Sequence, residues 1–309
     1  MWGHAAGEAT SLSQTRRSDR LPEIVLADDI RVCLTAEEAL DGADVIVSAI
    51  PVQAMRQAWT AIREHVPPSA AVLSVAKGIE TDTLLRPTQI ITDVLHDDPD
   101  TRPRPVGTLS GPTSATELAR GRPATMSAAS DDPAFNTAMQ TLFSTSWLRV
   151  YTHDDLLGVE LAGATKNVIA IAAGIIDGLN AGYNAKSALL ARGLAEISRL
   201  GAAMGAKPDT FFGISGVGDL ATTCFSPEGR NRSCGEAVGR GVTLQEHLAS
   251  VRAVVEGVET TRGVVELARK YRVEMPITEA VHDVLFEKLD PLDALRRLLR
   301  RELRDDRVL

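Results

Sequence analysis

The stretch Asp44-Val45-Ile46-Val47-Ser48-Ala49-Ile50-Pro51 constrains this chain more than any other. It is an almost unbroken apolar run that stops at a proline, and it is too short for a buried helix. Such a run predicts a strand covered on both faces, as in a parallel sheet packed between helices. Parallel neighbours need crossover connections, and the flanking sequence supplies them by alternation. Upstream, Ile30–Leu34 predicts a short strand, and Thr35-Ala36-Glu37-Glu38-Ala39-Leu40 carries the N-cap and early acids of a helix. Downstream, helices are expected over 52–65, 83–95 and 133–144, with strands over 70–76, 106–110, 124–129 and 147–151. The Pro- and Asp-rich stretch 96–105 reads as a solvated loop, and residues 1–28 as a polar, irregular surface excursion with a turn at Leu21-Pro22-Glu23.

Beyond Asp154 the strand signals end. Helical periodicity runs through 158–174, 185–205, 260–271, 278–287 and 290–303. The expected fold class is therefore α/β: a mostly parallel sheet domain over 1–153 followed by an all-helical domain over 154–309.

The helix Gly158-Val159-Glu160-Leu161-Ala162-Gly163-Ala164-Thr165-Lys166-Asn167-Val168-Ile169-Ala170-Ile171-Ala172-Ala173-Gly174 is rich in small residues that let other backbones approach, so much of it is expected to be buried. Lys166 then sits among apolar neighbours. Desolvation lowers a lysine pKa and suits it to proton transfer near neutral pH. The alternative is a lysine that snorkels or is ion-paired.

A formal charge of −8 argues against a polyanion-binding surface, so no nucleic-acid partner is expected. Cys33, Cys224 and Cys234 have no metal-ligand spacing and fit free thiols in a reducing compartment. The most apolar stretch, 168–176, is short and flanked by Asn167 and Asp177, and the first residues lack the pattern of a signal peptide. A cytoplasmic protein with no membrane span is expected.

In an open α/β sheet, ligands bind beyond the carboxyl ends of the strands. Three such loops are suggestive: Ala49-Ile50-Pro51, Ala76-Lys77-Gly78, and Ser110-Gly111-Pro112-Thr113-Ser114-Ala115. Lys77 can reach an anion, and the turn from Gly111 can present N–H groups to it. Each is also ordinary strand-to-helix punctuation. In the second half, Gly216-Val217-Gly218-Asp219-Leu220 precedes Thr223-Cys224 and Gly229-Arg230-Asn231-Arg232. The Arg230 guanidinium matches a phosphate, while Arg232 reads equally as a surface charge. Glu256 is an acid between apolar residues, either a helix-start feature or a hydrogen-bond acceptor.

Together and in this order, these motifs resemble the NAD(P)-dependent glycerol-3-phosphate dehydrogenase family, and more closely its bacterial branch. The resemblance spans nearly the whole chain. It implies a Rossmann-like first domain and the reversible reduction of dihydroxyacetone phosphate to sn-glycerol 3-phosphate with NAD or NADP, feeding phospholipid synthesis. By the same resemblance Lys166 is the acid/base, with Asn167 and Asp219 orienting it. Lys77 lies between cofactor and substrate, and Gly111, Thr113, Asp219, Gly229, Arg230 and Asn231 hold the substrate. His4, Lys77, Ala115, Arg230, Val254 and Glu256 contact the cofactor. No metal is implied, and a homodimer is expected.

Position 229 is Gly where many bacterial members carry Ser, as in the eukaryotic branch. The family begins with a strand, a G-x-G-x-x-G turn and a helix, and Met1-Trp2-Gly3-His4 aligns only with the end of the family's second strand. The first βα unit is thus missing, and the natural chain is expected to start upstream. Two other readings compete: a related hydroxy-acid dehydrogenase, and a non-catalytic phosphometabolite-binding or dimerisation remnant.

Overall fold

A computed structural model describes residues 1–3, 6–18, 21–96, 104–251 and 253–301. The expected loop over 96–105 falls mostly outside these residues, as does His4. The amino-terminal region is more regular than its polar composition implies. It forms helix α1 (Ala6–Thr15) and a small antiparallel hairpin, β1 (Arg17–Ser18) and β2 (Leu21–Val25). The stretch 30–34, expected as a strand, is instead irregular. Cys33 there is buried and donates its backbone N–H to the Met1 carbonyl at 2.8 Å.

The alternation then runs α2 (Ala36–Leu40), β3 (Val45–Ser48), α3 (Val52–Ile62), β4 (Ala71–Ser74), α4 (Pro87–Leu95), β5 (Val106–Ser110), α5 (Ala115–Ala119), β6 (Ala124–Ser130), α6 (Pro133–Phe143) and β7 (Leu148–His153). The five-stranded sheet has the order β3-β4-β5-β6-β7. Its pairings are parallel except for β5 with β6, so it is mostly parallel as expected. Helix α3 shows why the sheet is covered: Val52, Met55, Trp59 and Ile62 recur at helical spacing and are all buried. The Trp59 indole N–H donates to Ser48 Oγ at 3.1 Å, so the ring is buried with its polar group satisfied.

The strand expected to be covered on both faces is not β3. Among the described residues β3 pairs only with β4, and Val47 on its outer face is 47% exposed. The doubly covered strand is β4, all of whose residues are buried. Helix α4 also starts later than expected, at Pro87, because residues 80–85 form a closed turn with Leu84 at positive φ and Pro87 is a natural first helical residue.

The second half consists of α7 (Leu156–Gly178), α8 (Gly182–Met204), α9 (Asp219–Phe225), α10 (Arg230–Gly239), α11 (Leu244–Ser250), α12 (Glu256–Tyr271), α13 (Pro276–Phe286) and α14 (Pro291–Leu299). By length and composition α7 could cross a bilayer, which the short apolar run did not suggest, but its apolar window is wholly buried within the protein. It is the axis of the second half. A Cβ added at Gly174 would lie 1.9 Å from the Arg232 carbonyl oxygen, and one at Gly235 would lie 1.9 Å from that of Ile171. Helices α7 and α10 therefore touch backbone to backbone, and this contact fixes where the start of α10 stands.

Candidate active site

Four elements deliver side chains to one place. Lys77 follows β4 and Gly111 follows β5, both at the carboxyl edge of the parallel strands. Lys166 projects from α7. Asp219 opens α9, directly after a wide turn at Ile214–Gly218 that Gly216 makes possible: a Cβ there would lie 2.0 Å from the Phe211 carbonyl oxygen. Ser215 ties this turn to the sheet by donating to the Ser110 carbonyl at 3.2 Å.

At the centre is a carboxylate shared by two ammonium groups. Lys166 Nζ donates to Asp219 Oδ1 at 2.5 Å, and Lys77 Nζ donates to Asp219 Oδ2 at 2.6 Å. Lys77 also donates to the Gly111 carbonyl at 3.1 Å, and Lys166 to Thr223 Oγ1 at 2.5 Å. Asp219 is 2% and Lys166 6% exposed. Burial, reinforced by the neighbouring Lys77 charge, lowers the Lys166 pKa to about 8, while Asp219 opposes that shift. Lys166 is thus ion-paired, and its ammonium is at the same time shifted toward neutral pH.

Several of the residues expected at substrate and cofactor connect to this centre. Gly111 is buried, and a Cβ on it would meet the Thr125 carbonyl oxygen at 2.7 Å, so the β5 loop can turn there only with glycine. Thr113 Oγ1 donates back to the Gly111 carbonyl at 3.2 Å, and Ala115 is exposed at the start of α5. Asn167 is buried beside Lys166 on α7. Gly229 caps α10, whose first residue, Arg230, is exposed and donates to the Val254 carbonyl at 2.8 Å. Burial pushes the Glu256 carboxyl upward in pKa, and Arg230, Lys77 and Lys166 pull it back in that order, so Glu256 lies within electrostatic reach of all three. Asn231 Oδ1 accepts from the Gly257 N–H at 2.9 Å and joins α10 to α12. His4 lies outside the described residues.

The sequence reading left several contributors out. Thr223 lies four residues after Asp219, on the same face of α9, a spacing that could have placed it at Lys166. Arg232 is not a surface charge: its guanidinium pairs with Asp177 at 2.7 Å and with Glu236 at 2.9 Å, and Lys186 pairs with the same Asp177 at 2.7 Å. Arg232 also donates to the Ser226 carbonyl at 2.9 Å, which braces the loop before Gly229. The Glu236 pair follows from i,i+4 spacing on α10, but no spacing rule links Arg232 to Asp177. The three cysteines are free and buried, and burial raises the thiols of Cys224 and Cys234 to about 12 and about 11, which disfavours the reactive thiolate at both.

A mostly parallel sheet joined to a helical bundle, with a buried lysine held by a carboxylate at the sheet's carboxyl edge, defines a two-part oxidoreductase of the dinucleotide-dependent class. Comparison with known proteins narrows this. The family model described as NAD-dependent glycerol-3-phosphate dehydrogenase N-terminus matches residues 1–136, and its C-terminus counterpart matches residues 155–296. The chain is 42% identical over 310 aligned positions to glycerol-3-phosphate dehydrogenase (NAD(P)+) 1 of Salinibacter ruber, covering 100% of this chain and 90% of the relative. It is 44% identical over 302 positions to the enzyme of that name from Pelotomaculum thermopropionicum, covering 97% of this chain and 86% of the relative. The crystal structure of glycerol-3-phosphate dehydrogenase from Coxiella burnetii superposes with a TM-score of 0.92 at 33% identity, covering 97% of this chain and 90% of that one. This chain belongs to the NAD-dependent glycerol-3-phosphate dehydrogenase family.

Proposed function

We propose that the protein interconverts dihydroxyacetone phosphate and sn-glycerol 3-phosphate with NADH or NADPH and so supplies glycerol 3-phosphate for phospholipid synthesis. The observation that carries this reading is the buried Lys166–Asp219–Lys77 triangle at the carboxyl edge of the sheet. A dihydronicotinamide, when bound, supplies a hydride to the ketone carbon. The residues present fit such a group: Glu256 would serve it as an acceptor and Lys77 as a donor, and Arg230, bonded to the Val254 carbonyl at 2.8 Å and acting electrostatically on Glu256, would stand beside them.

Charge grows on the ketone oxygen as its carbon accepts the hydride. The Lys166 ammonium stabilises that charge and passes its proton to the oxygen. Asp219 keeps the ammonium aimed and, by its charge, keeps it protonated. With a pKa of about 8, Lys166 carries a proton at pH 7 and gives it up as an alkoxide forms. In the opposite direction the neutral amine takes the hydroxyl proton. Lys77, Gly111, Thr113, Gly229 and Arg230 hold the substrate, Arg230 through the phosphate. Asn231 contributes by holding α10 against α12.

The test is nucleotide oxidation followed with dihydroxyacetone phosphate, with unphosphorylated dihydroxyacetone and with a 2-oxo acid as comparisons. Turnover that requires the phosphorylated ketone supports the reading. A preference for the oxo acid, or binding without turnover, replaces it with one of the two competing readings. We further propose a unit boundary between 153 and 154, a cytoplasmic location and a homodimer. Light scattering at micromolar concentration tests the dimer.

A further inference from the structure

Glu160 is a buried carboxylate that the proton transfer above does not use. It lies on α7 ahead of Lys166, and its side chain has no exposed surface. It faces the start of α4, accepting from the Thr88 N–H at 2.9 Å and from Thr88 Oγ1 at 2.8 Å, and it pairs with the Arg86 guanidinium. Burial raises its pKa while Arg86 and Thr88 lower it. One turn further along α7, at Gly163, a Cβ would lie 3.0 Å from Ser110 Oγ and 3.5 Å from Lys77 Cγ, so the aliphatic stem of Lys77 runs against the bare helix. A further turn brings Lys166, joined to Lys77 through Asp219.

One stripe of α7 therefore holds both ends of the connector 75–86, which joins β4 to α4 and carries Lys77. From outside, α3 holds its middle. Gln53 donates to the Ile79 carbonyl at 2.7 Å and accepts from the Thr81 N–H at 3.2 Å, while Arg56 pairs with Glu80 at 2.9 Å. An apolar contact would fix only how deeply the connector packs. A carboxylate that accepts from a helix N-terminus and a guanidinium also fixes its rotation and register.

We propose that Glu160 is a positioning residue: by anchoring the far end of the connector to the helix that bears Lys166, it sets the Lys77 ammonium against the Lys166–Asp219 pair. The proposal deepens the reading of Lys166 as the proton donor. The groups that face Lys166 are Lys77 from the connector, Asp219, Thr223 and Cys224 from α9, and Glu256 from α12. Those that face Glu160 are Arg86 and Thr88. Freeing the anchor lets the Lys77 charge retreat, and Lys166 then holds its proton more tightly. Loss of the Glu160 charge alone would act in the opposite direction, so the two effects differ in sign.

The experiment reads the proton affinity of Lys166 in the full chain without substrate. The pH dependence of its acylation by an amine-selective reagent is followed by mass spectrometry of the Lys166 peptide, and folding is monitored by circular dichroism. The expected result is a midpoint raised by about one pH unit in Glu160→Ala and in Lys77→Met, with no further rise in the double variant. Should the alanine variant not fold, Glu160→Gln carries the test, because it keeps an acceptor for Thr88; a smaller rise is expected. A midpoint that stays put or falls in a folded variant, or adds to that of Lys77→Met, overturns the proposal. Because no substrate is involved, an error in the assigned reaction would leave this result standing, and failure here would leave the reaction untouched.

Discussion

Replacing Asp219 with Asn removes the charge of the carboxylate to which both lysines donate, while keeping shape and a hydrogen-bond acceptor. Asp219 lies 2.5 Å from one ammonium and 2.6 Å from the other, and it is buried. An opposite charge that close holds a pKa up by ~1 to 3 units. Without it, Lys166 should fall from about 8 to between ~5 and ~7. At pH 7 the protonated fraction then drops from about nine-tenths to between about one-half and one-hundredth, so ketone reduction slows by ~2-fold to ~100-fold through protonation alone. The loss should shrink toward pH 5.5, where the variant regains its proton. The assay is kcat/KM for dihydroxyacetone phosphate across that range, with the melting temperature recorded at each pH. A defect equally large at pH 5.5 and pH 7 would refute the reasoning, because it would mean that Asp219 acts by geometry and not by charge.

Three further outcomes are expected. Gly235→Ala places a methyl 1.9 Å from the Ile171 carbonyl oxygen, so α10 must move off α7; overpacking of this kind costs ~1 to 3 kcal/mol or more, and KM for the phosphorylated ketone should rise because Arg230 begins α10. Chemical denaturation and KM, measured together, check both parts. Arg230→Lys should raise KM for dihydroxyacetone phosphate with less effect on kcat, since a point charge cannot replace a two-pronged donor; an unchanged KM would place the phosphate elsewhere. Glu196 is buried beneath the start of α13, accepting from the Ile277 and Thr278 N–H groups, and burial raises its pKa to about 7. A carboxyl raised in the folded state binds its proton more tightly than in the unfolded chain. Wild-type stability should therefore fall relative to Glu196→Gln between pH 4.5 and 7, by roughly 3 kcal/mol, and then level off. A difference that stays flat with pH in urea titrations would contradict this.

The parts of the molecule governed by local pattern were readable in the sequence. The strands around 71–74 and 106–110 follow from apolar runs, and α7 from its small residues. Lys77 and Asp219 stood out as charged groups beside glycines at the end of a strand and the start of a helix, and Lys166 as a lone lysine among small and apolar residues within a long helix. What the sequence could not supply depends on which faces meet. Val47 belongs to an almost unbroken apolar run, yet it is exposed because no described element covers it. Conversely, the polar stretch 6–15 is helical with almost no apolar face, a case in which periodicity carries little signal. Glu160 and Glu196 look like solvated acids in sequence. Each is buried because the N-terminus of a helix far along the chain presents N–H groups to it. The bond from the Gly257 N–H to Asn231 Oδ1 is another pairing of this kind.

The central claim is that the Lys166 ammonium delivers the proton during ketone reduction. It is tested most directly by single-turnover reduction of dihydroxyacetone phosphate in wild type and in Lys166→Met, a substitution close in size. The account predicts that the chemical step slows by at least ~10²-fold, with nucleotide and substrate still bound. A chemical step within a few-fold of wild type would contradict it and leave Lys166 as a buried structural ion pair.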